Sequence, residues 1–210
     1  MASSTTARGR FITVEGIEGV GKSTNLRFVA NELRRAGHAV VESREPGGTP
    51  LGERIRELLL SPDTRIAPLT EALLMFAARS THLDEVIKPA LNSGKWVVCD
   101  RFTDASHAYQ GGGRGLAAAT IETLAALVQG HLRPDLTLLL DAPLKVSQER
   151  QAGRRHRDRF EQESAEFFGR VRSAYLDLAA RDAARVRLID AARPLADVQE
   201  DIRRALAEIT

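Results

Sequence analysis

Residues 11–23 read FITVEGIEGVGKS, and three separate requirements meet in that stretch. FITVEG is mostly apolar and β-branched, the pattern of a strand buried on both faces. GIEGVGKS, from Gly16 to Ser23, matches G-x-x-x-x-G-K-[ST]. STNLRFVANELRRAG then carries apolar residues at helical spacing and stops at Gly37. The glycines let backbone N–H groups turn inward, and the start of the helix adds a positive dipole. Only four lysines occur in the chain (Lys22, Lys88, Lys95 and Lys145), so lysine abundance does not explain the match. Gly16, Ile17, Glu18, Gly19, Val20, Gly21, Lys22, Ser23 and Thr24 form the expected cradle for a nucleoside triphosphate. Lys22 is placed for the β- and γ-phosphates and Ser23 for Mg²⁺.

Outward from this loop, short apolar runs alternate with helical patterns. Residues 39–44 (AVVESR), 96–100 (WVVCD), 136–141 (LTLLLD) and 186–190 (VRLID) read as further strands. Helical periodicity covers residues 51–60, 69–92, 165–182 and 194–209, with Pro89 placed to kink or restart the second of these. EPGGTP, residues 45–50, is punctuated as a loop. The expected fold is α/β, a P-loop domain with a five-stranded parallel sheet and helices on both faces. No repeat or linker divides it, so residues 1–210 form one domain, with residues 1–9 as a polar tail.

The 30 basic residues face 28 acidic ones, leaving a net charge of +2 and no sustained basic stripe. Specific nucleic-acid binding is not expected from that balance. No segment approaches the roughly 20 apolar residues that span a bilayer, and MASSTTARGR lacks a secretory apolar core. Cys99 is the sole cysteine and sits in an apolar run, where it reads as an inert buried thiol. A cytoplasmic protein without a membrane partner is expected.

Three classes of P-loop protein remain to be separated. A GTPase would read guanine through N-K-x-D, which is absent, and a nucleic-acid motor would need more chain and a basic track. A small-molecule kinase needs an acceptor pocket and positive charge at the sheet's carboxyl edge. Arg44 and Arg101 each fall just beyond a strand end, where guanidinium can grip phosphate bidentately. Asp100 and Asp141 both end apolar strands and could position Mg²⁺. Asp100 is favoured because Arg101 follows it, and Asp141 reads as a helix cap before Pro143.

The chain resembles the bacterial thymidylate kinases over essentially its whole length. VEGIEGVGKST, REPGGTPLGERIRELLL, LLMFAARSTHL, DRFTDASHAYQGGGRG, DRFEQE and LIDAARPLADV carry the likeness, in the family's order. The resemblance implies phosphoryl transfer from ATP to dTMP with Mg²⁺, usually by a homodimer. It implies a pocket in which Phe76 stacks on thymine and Arg79 donates to its O4 atom. Many family members space these two residues by four, and here the spacing is three. Ser106 and Gln110 fall where similar kinases contact the pyrimidine, Tyr109 where a ring lies near the sugar, and Arg44, Glu45, Pro46 and Arg101 where the acceptor is held. Gly111 to Gly113 imply a turn with positive φ, and Arg114 a cap or phosphate ligand. Adenine is expected beside residues 190–194.

In the segment QAGRRHRDRFEQE the resemblance implies a mobile lid over residues 151–162. The phosphate loop offers Glu18 and no arginine, so the guanidinium for the transferring phosphoryl must come from elsewhere. Arg154 aligns best for that role, with Arg150 and Arg159 beside it and Lys22 and Arg101 across the site. Asp158 and Glu161, with Glu18, are expected to close over the acceptor sugar or a Mg²⁺-bound water. Phe167, Phe168 and Tyr175 read as core. Two rival functions stay open at this point. One is a deoxynucleoside kinase using Glu45 as base for a 5′-hydroxyl. The other is a nucleic-acid contact made by the arginines.

Overall fold

The computed structural model describes residues 8–152 and 158–210. Five strands form one sheet: β1 (Phe11–Glu15), β2 (Val40–Arg44), β3 (Trp96–Asp100), β4 (Leu136–Asp141) and β5 (Val186–Asp190). Their order across the sheet is β2-β3-β1-β4-β5, and every neighbouring pair is parallel. β1 lies at the centre and is buried along its whole length, as its unbroken apolar reading requires. The edge strands β2 and β5, which mix apolar and charged residues, are only partly buried.

Strand alternation divides the core. Ile12, Val14 and Val98 join one cluster with Val29, Leu33 and Ile202, while Phe11, Val97 and Cys99 join another with Leu83, Ile87 and Leu91. Val29 and Leu33 come from α1 (Lys22–Arg35), and Ile202 from α9 (Leu195–Ala207). Leu83 and Ile87 lie in a wide π-type turn, Leu83–Ile87, joining α3 (Pro68–His82) to α4 (Lys88–Asn92). Pro89 falls in the first turn of α4, where its missing N–H costs nothing, so it restarts the helix as expected. Cys99 is fully buried, and burial pushes its thiol well above the ordinary range.

The remaining helices frame the carboxyl edge of the sheet. α2 (Pro50–Leu60) is capped by Thr49, whose Oγ1 accepts from Gly52 N at 2.9 Å. α5 (Thr103–Ser106) runs into a second π-type turn, His107–Gly113, before α6 (Ala118–Gln129). α7 (Leu144–Gln151) and α8 (Ala165–Arg181) complete the set. No helix among the described residues is long and apolar enough to cross a membrane.

Three sequence expectations need correction. Gly112 and Gly113 lie inside the π-type turn, and the positive φ belongs to Gly115 at 78°. Those two glycines permit close packing instead: a Cβ on Gly113 would lie 2.5 Å from the Phe167 ring, and one on Gly112 2.6 Å from Ala174. Asp141 caps no helix, because both its oxygens accept from Arg172, at 2.7 and 2.8 Å. Gly9 is not tail either; it is buried, and its N–H donates to Leu91 O at 2.9 Å.

Candidate active site

The phosphate loop joins β1 to α1. Gly16, Gly19 and Gly21 take φ values of 134°, 81° and 91°. A Cβ at Gly16 would lie 2.3 Å from Leu140 O, and one at Gly19 2.4 Å from Ser147 O, so only glycine fits either place. Ile17 and Val20 anchor the loop in the core. Behind it, α7 donates to the Glu18 carbonyl from Ser147 Oγ and, at 3.1 Å, from Gln151 Nε2. Lys22 donates to Ile17 O at 3.0 Å, and burial, with Arg101 nearby, pushes its ammonium down to about 8. Ser23 and Thr24 line the cleft beside it.

Arg101 follows β3 and is held from three sides. NH2 donates to Glu18 Oε1 at 2.7 Å, NH1 to Gly16 O at 3.0 Å, and the guanidinium stacks 4.6 Å from the Tyr109 ring centre. Its backbone adopts φ 69°, the one non-glycine residue with positive φ among those described. Phe102 N, next in the chain, donates to Glu15 Oε1 at 2.7 Å. Tyr175 OH donates to Glu15 Oε2 at 2.7 Å and accepts from Arg101 NH1 at 3.4 Å. Tyr175 therefore does more than fill the core. Tyr109 OH donates to both oxygens of Glu18, at 2.9 and 2.8 Å. Burial raises the Glu18 carboxyl, but Arg101 and Lys22 outweigh it and hold the group below its usual value.

A second set of side chains surrounds Arg79 of α3. Its Nε donates to Glu45 Oε2 at 2.7 Å and its NH2 to Ser106 Oγ at 3.1 Å. The other Glu45 oxygen meets His82 Nδ1 at 3.0 Å. Glu45 is thus buried with both oxygens engaged, which does not favour a base for an incoming hydroxyl. Gln110 Nε2 donates to Glu71 Oε1 at 2.8 Å. Arg44 is exposed and paired with Glu53 at 2.8 Å, at the cleft's margin with Pro46.

Phe76 is not at the cleft. It is 2% exposed and lies beneath the Arg79 guanidinium, 4.5 Å from ring centre to Cζ. Met75, one residue earlier, is the side chain that reaches the lining. Met75 and Arg79 are four apart on one helix face, so the three-residue spacing of Phe76 was the available signal. Arg56 was also missed. It lines the cleft, donates to Pro46 O at 2.9 Å, and stands one turn of α2 beyond Glu53. Burial and neighbouring Arg44 lower its guanidinium.

Of the lid arginines, Arg154 lies outside the described residues, as do Arg155 and Arg157. Arg150 lines the cleft and donates to Ala191 O at 2.9 Å. Ala191 belongs to the 190–194 stretch, which does not line the cleft. Arg159 points elsewhere: Nε donates to Leu59 O at 2.8 Å and NH1 pairs with buried Glu71 at 2.7 Å. Arg114 shares that carboxylate and also pairs with Glu163, which corrects its reading as a cap or phosphate ligand. Asp158 and Glu161 both line the cleft, and burial pushes the Asp158 carboxyl up.

One cleft of about 460 Å³ runs from Lys22 and Ser23 of the phosphate loop to Arg79, Ser106 and Gln110, with Arg101, Arg150, Asp158 and Glu161 also in its lining. A phosphate loop at the carboxyl edge of a parallel sheet, sharing its cleft with polar side chains around Arg79, defines a P-loop phosphotransferase of the nucleoside monophosphate kinase class. The chain belongs to the thymidylate kinase family, whose model matches residues 14–202. It is 57% identical over 202 residues to the thymidylate kinase of Pseudomonas savastanoi pv. phaseolicola, covering 96% of each chain. To that of Cupriavidus necator it is 55% identical over 204 residues, covering 96% of this chain and all of the relative. The crystal structure of thymidylate kinase from Ehrlichia chaffeensis superposes with a TM-score of 0.78 at 33% identity, over 95% of this chain and 99% of that one.

Proposed function

We propose that this domain transfers the γ-phosphoryl group of ATP to dTMP, giving dTDP and ADP. The observation that carries the reading is the shared cleft, with phosphate-loop groups and the Arg79 pocket both opening onto it around Arg101. The acceptor is a phosphate already ionised near neutral pH, so the site needs positioning and charge, not a general base. Lys22 and the loop N–H groups hold the donor phosphates, and Arg101 with Arg44 and Arg56 draws in the acceptor phosphate. Arg150 from α7, and Arg154 from a lid at residues 151–162, supply positive charge over the transferring group. Adenine rests beside residues 190–194. In the acceptor pocket Met75 supports the pyrimidine, Arg79 donates to its 4-keto oxygen, and Ser106, Gln110 and Tyr109 bound the base and sugar. Asp158 and Glu161 face the acceptor.

Asp100 Oδ1 is buried without a hydrogen-bond partner, and Ser23 lines the same cleft, a donor pair suited to Mg²⁺ held mainly through nucleotide phosphates. When bound there, Mg²⁺ would neutralise charge on the phosphoryl oxygens.

The protein acts as a cytoplasmic homodimer in this reading. Exposed leucines support an interface on neighbouring helices, with Leu58 on α2, Leu69 and Leu73 on α3, and Leu127 on α6. Light scattering after gel filtration at micromolar protein gives the subunit count. The reaction itself is tested by offering dTMP, dUMP, dCMP, dGMP and thymidine separately with Mg·ATP and following ADP release. dTMP should turn over fastest, and turnover of thymidine without dTMP would overturn the proposal.

A further inference from the structure

Arg79 is unusually constrained for a side chain that reads a ligand. Its Nε is fixed on Glu45 and its NH2 on Ser106, and its Cζ lies 4.5 and 4.9 Å from the centres of the Phe76 and Phe102 rings. NH1 alone is buried without a partner. Arg79 lines the cleft, so NH1 is the group left to meet a ligand acceptor. Its aim depends on Glu45, because the guanidinium plane turns with the Nε–H···O bond.

Glu45 is in turn fixed from behind. His82, fully buried and one turn after Arg79 on α3, meets Glu45 Oε1 through Nδ1 at 3.0 Å. A carboxylate can only accept, so Nδ1 carries the proton. On the other side of the ring, Nε2 meets Ser43 Oγ at 2.6 Å. Gly48 makes room for this arrangement, since a Cβ there would lie 2.7 Å from both the His82 ring and Ser43 Oγ. Four side chains therefore form one line, Ser43–His82–Glu45–Arg79, running from β2 through the core to the cleft.

We infer that His82 is a positioning residue for base selection: through Glu45 it fixes Arg79 so that NH1 faces a keto oxygen at the far end of the acceptor pocket. The inference rests on the reading of Arg79 as the group that meets the pyrimidine. A fixed N–H donor favours a 4-keto pyrimidine and meets the 4-amino group of cytosine donor against donor. A loosely held guanidinium could turn aside and admit either. The line thus bears on discrimination between acceptors, with little bearing on the nucleoside triphosphate.

The test compares His82→Leu, His82→Asn, Glu45→Gln and Arg79→Leu in steady-state assays with dTMP, dCMP and ATP, corrected for folded fraction by circular dichroism. In His82→Leu the KM for dTMP should rise roughly tenfold, the scale of one misdirected charged hydrogen bond. Its preference for dTMP over dCMP should fall by a similar factor, while the KM for ATP stays put. Asn places an amide N–H near the position of Nδ1, so His82→Asn should recover most of the loss. Because His82 acts through Glu45, combining His82→Leu with Glu45→Gln should add little to Glu45→Gln alone. If Arg79→Leu raises the KM for dTMP while folded His82→Leu matches wild type, the positioning role is overturned and the Arg79 reading survives. If Arg79→Leu itself leaves dTMP binding and preference unchanged, the base-reading assignment falls first. Should His82→Leu not fold, His82→Phe, which fills the site without an N–H, takes its place, and strict additivity of its effect with that of Glu45→Gln overturns the relay.

Discussion

Arg101 NH2 lies 2.7 Å from Glu18 Oε1, so the carboxylate of the phosphate loop grips a guanidinium that lines the cleft. The pair is largely shielded, with 16% and 14% of the two side chains exposed. Glu18 balances charge that would otherwise crowd Lys22 and Arg101 against each other, and it fixes where Arg101 points. An acceptor phosphate entering between them would share the guanidinium, which has five N–H donors to divide.

Arg101→Ala should therefore lower kcat/KM for dTMP by about 10²–10³-fold, the range for losing one preorganised donor at developing charge. Arg101→Lys should recover little, because an ammonium cannot serve Glu18, Gly16 O and a phosphate in one plane. Steady-state kinetics with dTMP varied decides it. The backbone offers a separate check. At φ 69° a side chain costs roughly 1–2 kcal/mol that glycine does not, so Arg101→Gly should melt above Arg101→Ala although both lose the same guanidinium. Equal melting temperatures would mean that the turn relaxes once the guanidinium is gone.

Two buried groups give the ligand-free protein a characteristic pH dependence. Burial, with Asp104 adding to it, pushes Glu15 from 4.5 up to about 8, so its protonated form is favoured on folding. Its contribution to stability is complete below 4.5 and is lost as pH rises towards 8. Lys22 runs the other way: burial, with Arg101, lowers it from 10.5 to about 8, so its contribution is complete above 10.5 and is lost as pH falls towards 8. Together they penalise the fold most near pH 8, with a limiting slope of about 1.4 kcal/mol per pH unit for each group. Urea midpoints from pH 5 to 10 should show Glu15→Gln removing the falling limb and Lys22→Met the rising one. A wild-type-minus-variant difference that does not change with pH would show that neither group titrates differently on folding.

The phosphate half of the site was legible because it is written locally. Strand, glycine loop, Lys22 and helix follow one another, and each imposes a backbone need that sequence can display. Asp100–Arg101 was legible for the same reason, as the end of an apolar strand. The base pocket was less so, because membership depends on helical phase. Phe76 and Met75 are adjacent in sequence but sit about 100° apart on the helix. Tyr175 and Arg159 show the limit from the other side. Tyr175 lies 160 residues from Glu15, and Arg159 lies 88 from its partner Glu71, so no local pattern could reveal either link. Gly112 and Gly113 likewise looked like a turn because only α8, packed against them, shows why a side chain is excluded.

That helical phase makes Met75 and Phe76 separable by mutation. Met75→Ala should raise the KM for dTMP a few-fold, for loss of roughly 1 kcal/mol of apolar contact, while lowering the melting temperature less than Phe76→Ala, because Met75 is only partly buried against the core. Phe76→Ala removes a core ring and should cost about 3–5 kcal/mol of stability. It should also weaken dTMP, but only indirectly, by withdrawing the surface on which Arg79 rests. Thermal melts and dTMP titrations on both variants separate the roles. If Phe76→Ala keeps its melting temperature and loses dTMP, the ring belongs to the pocket after all.

The lid arginines should divide in the same manner. Arg159 is tied to Leu59 O and to Glu71, a fully buried carboxylate that also holds Arg114 and Gln110. Removing it leaves Glu71 still partnered, so Arg159→Ala should lower stability and change kcat only modestly. Arg150 touches the cleft but spends one N–H on Ala191 O, which suits a group that orients the donor side. Arg154→Ala should behave differently from both, lowering kcat by orders of magnitude with dTMP binding nearly intact. Charge gathers on the transferring oxygens mainly in the transition state, so a partner supplied there is felt in kcat more than in binding. Lysine at 154 should rescue poorly for want of a planar fork. Single-turnover rates with saturating ATP and dTMP, set beside melting temperatures, separate the three residues. A loss of kcat in Arg159→Ala matching that in Arg154→Ala, with stability unchanged, would place Arg159 on the phosphoryl group and require it to leave Glu71 during the reaction.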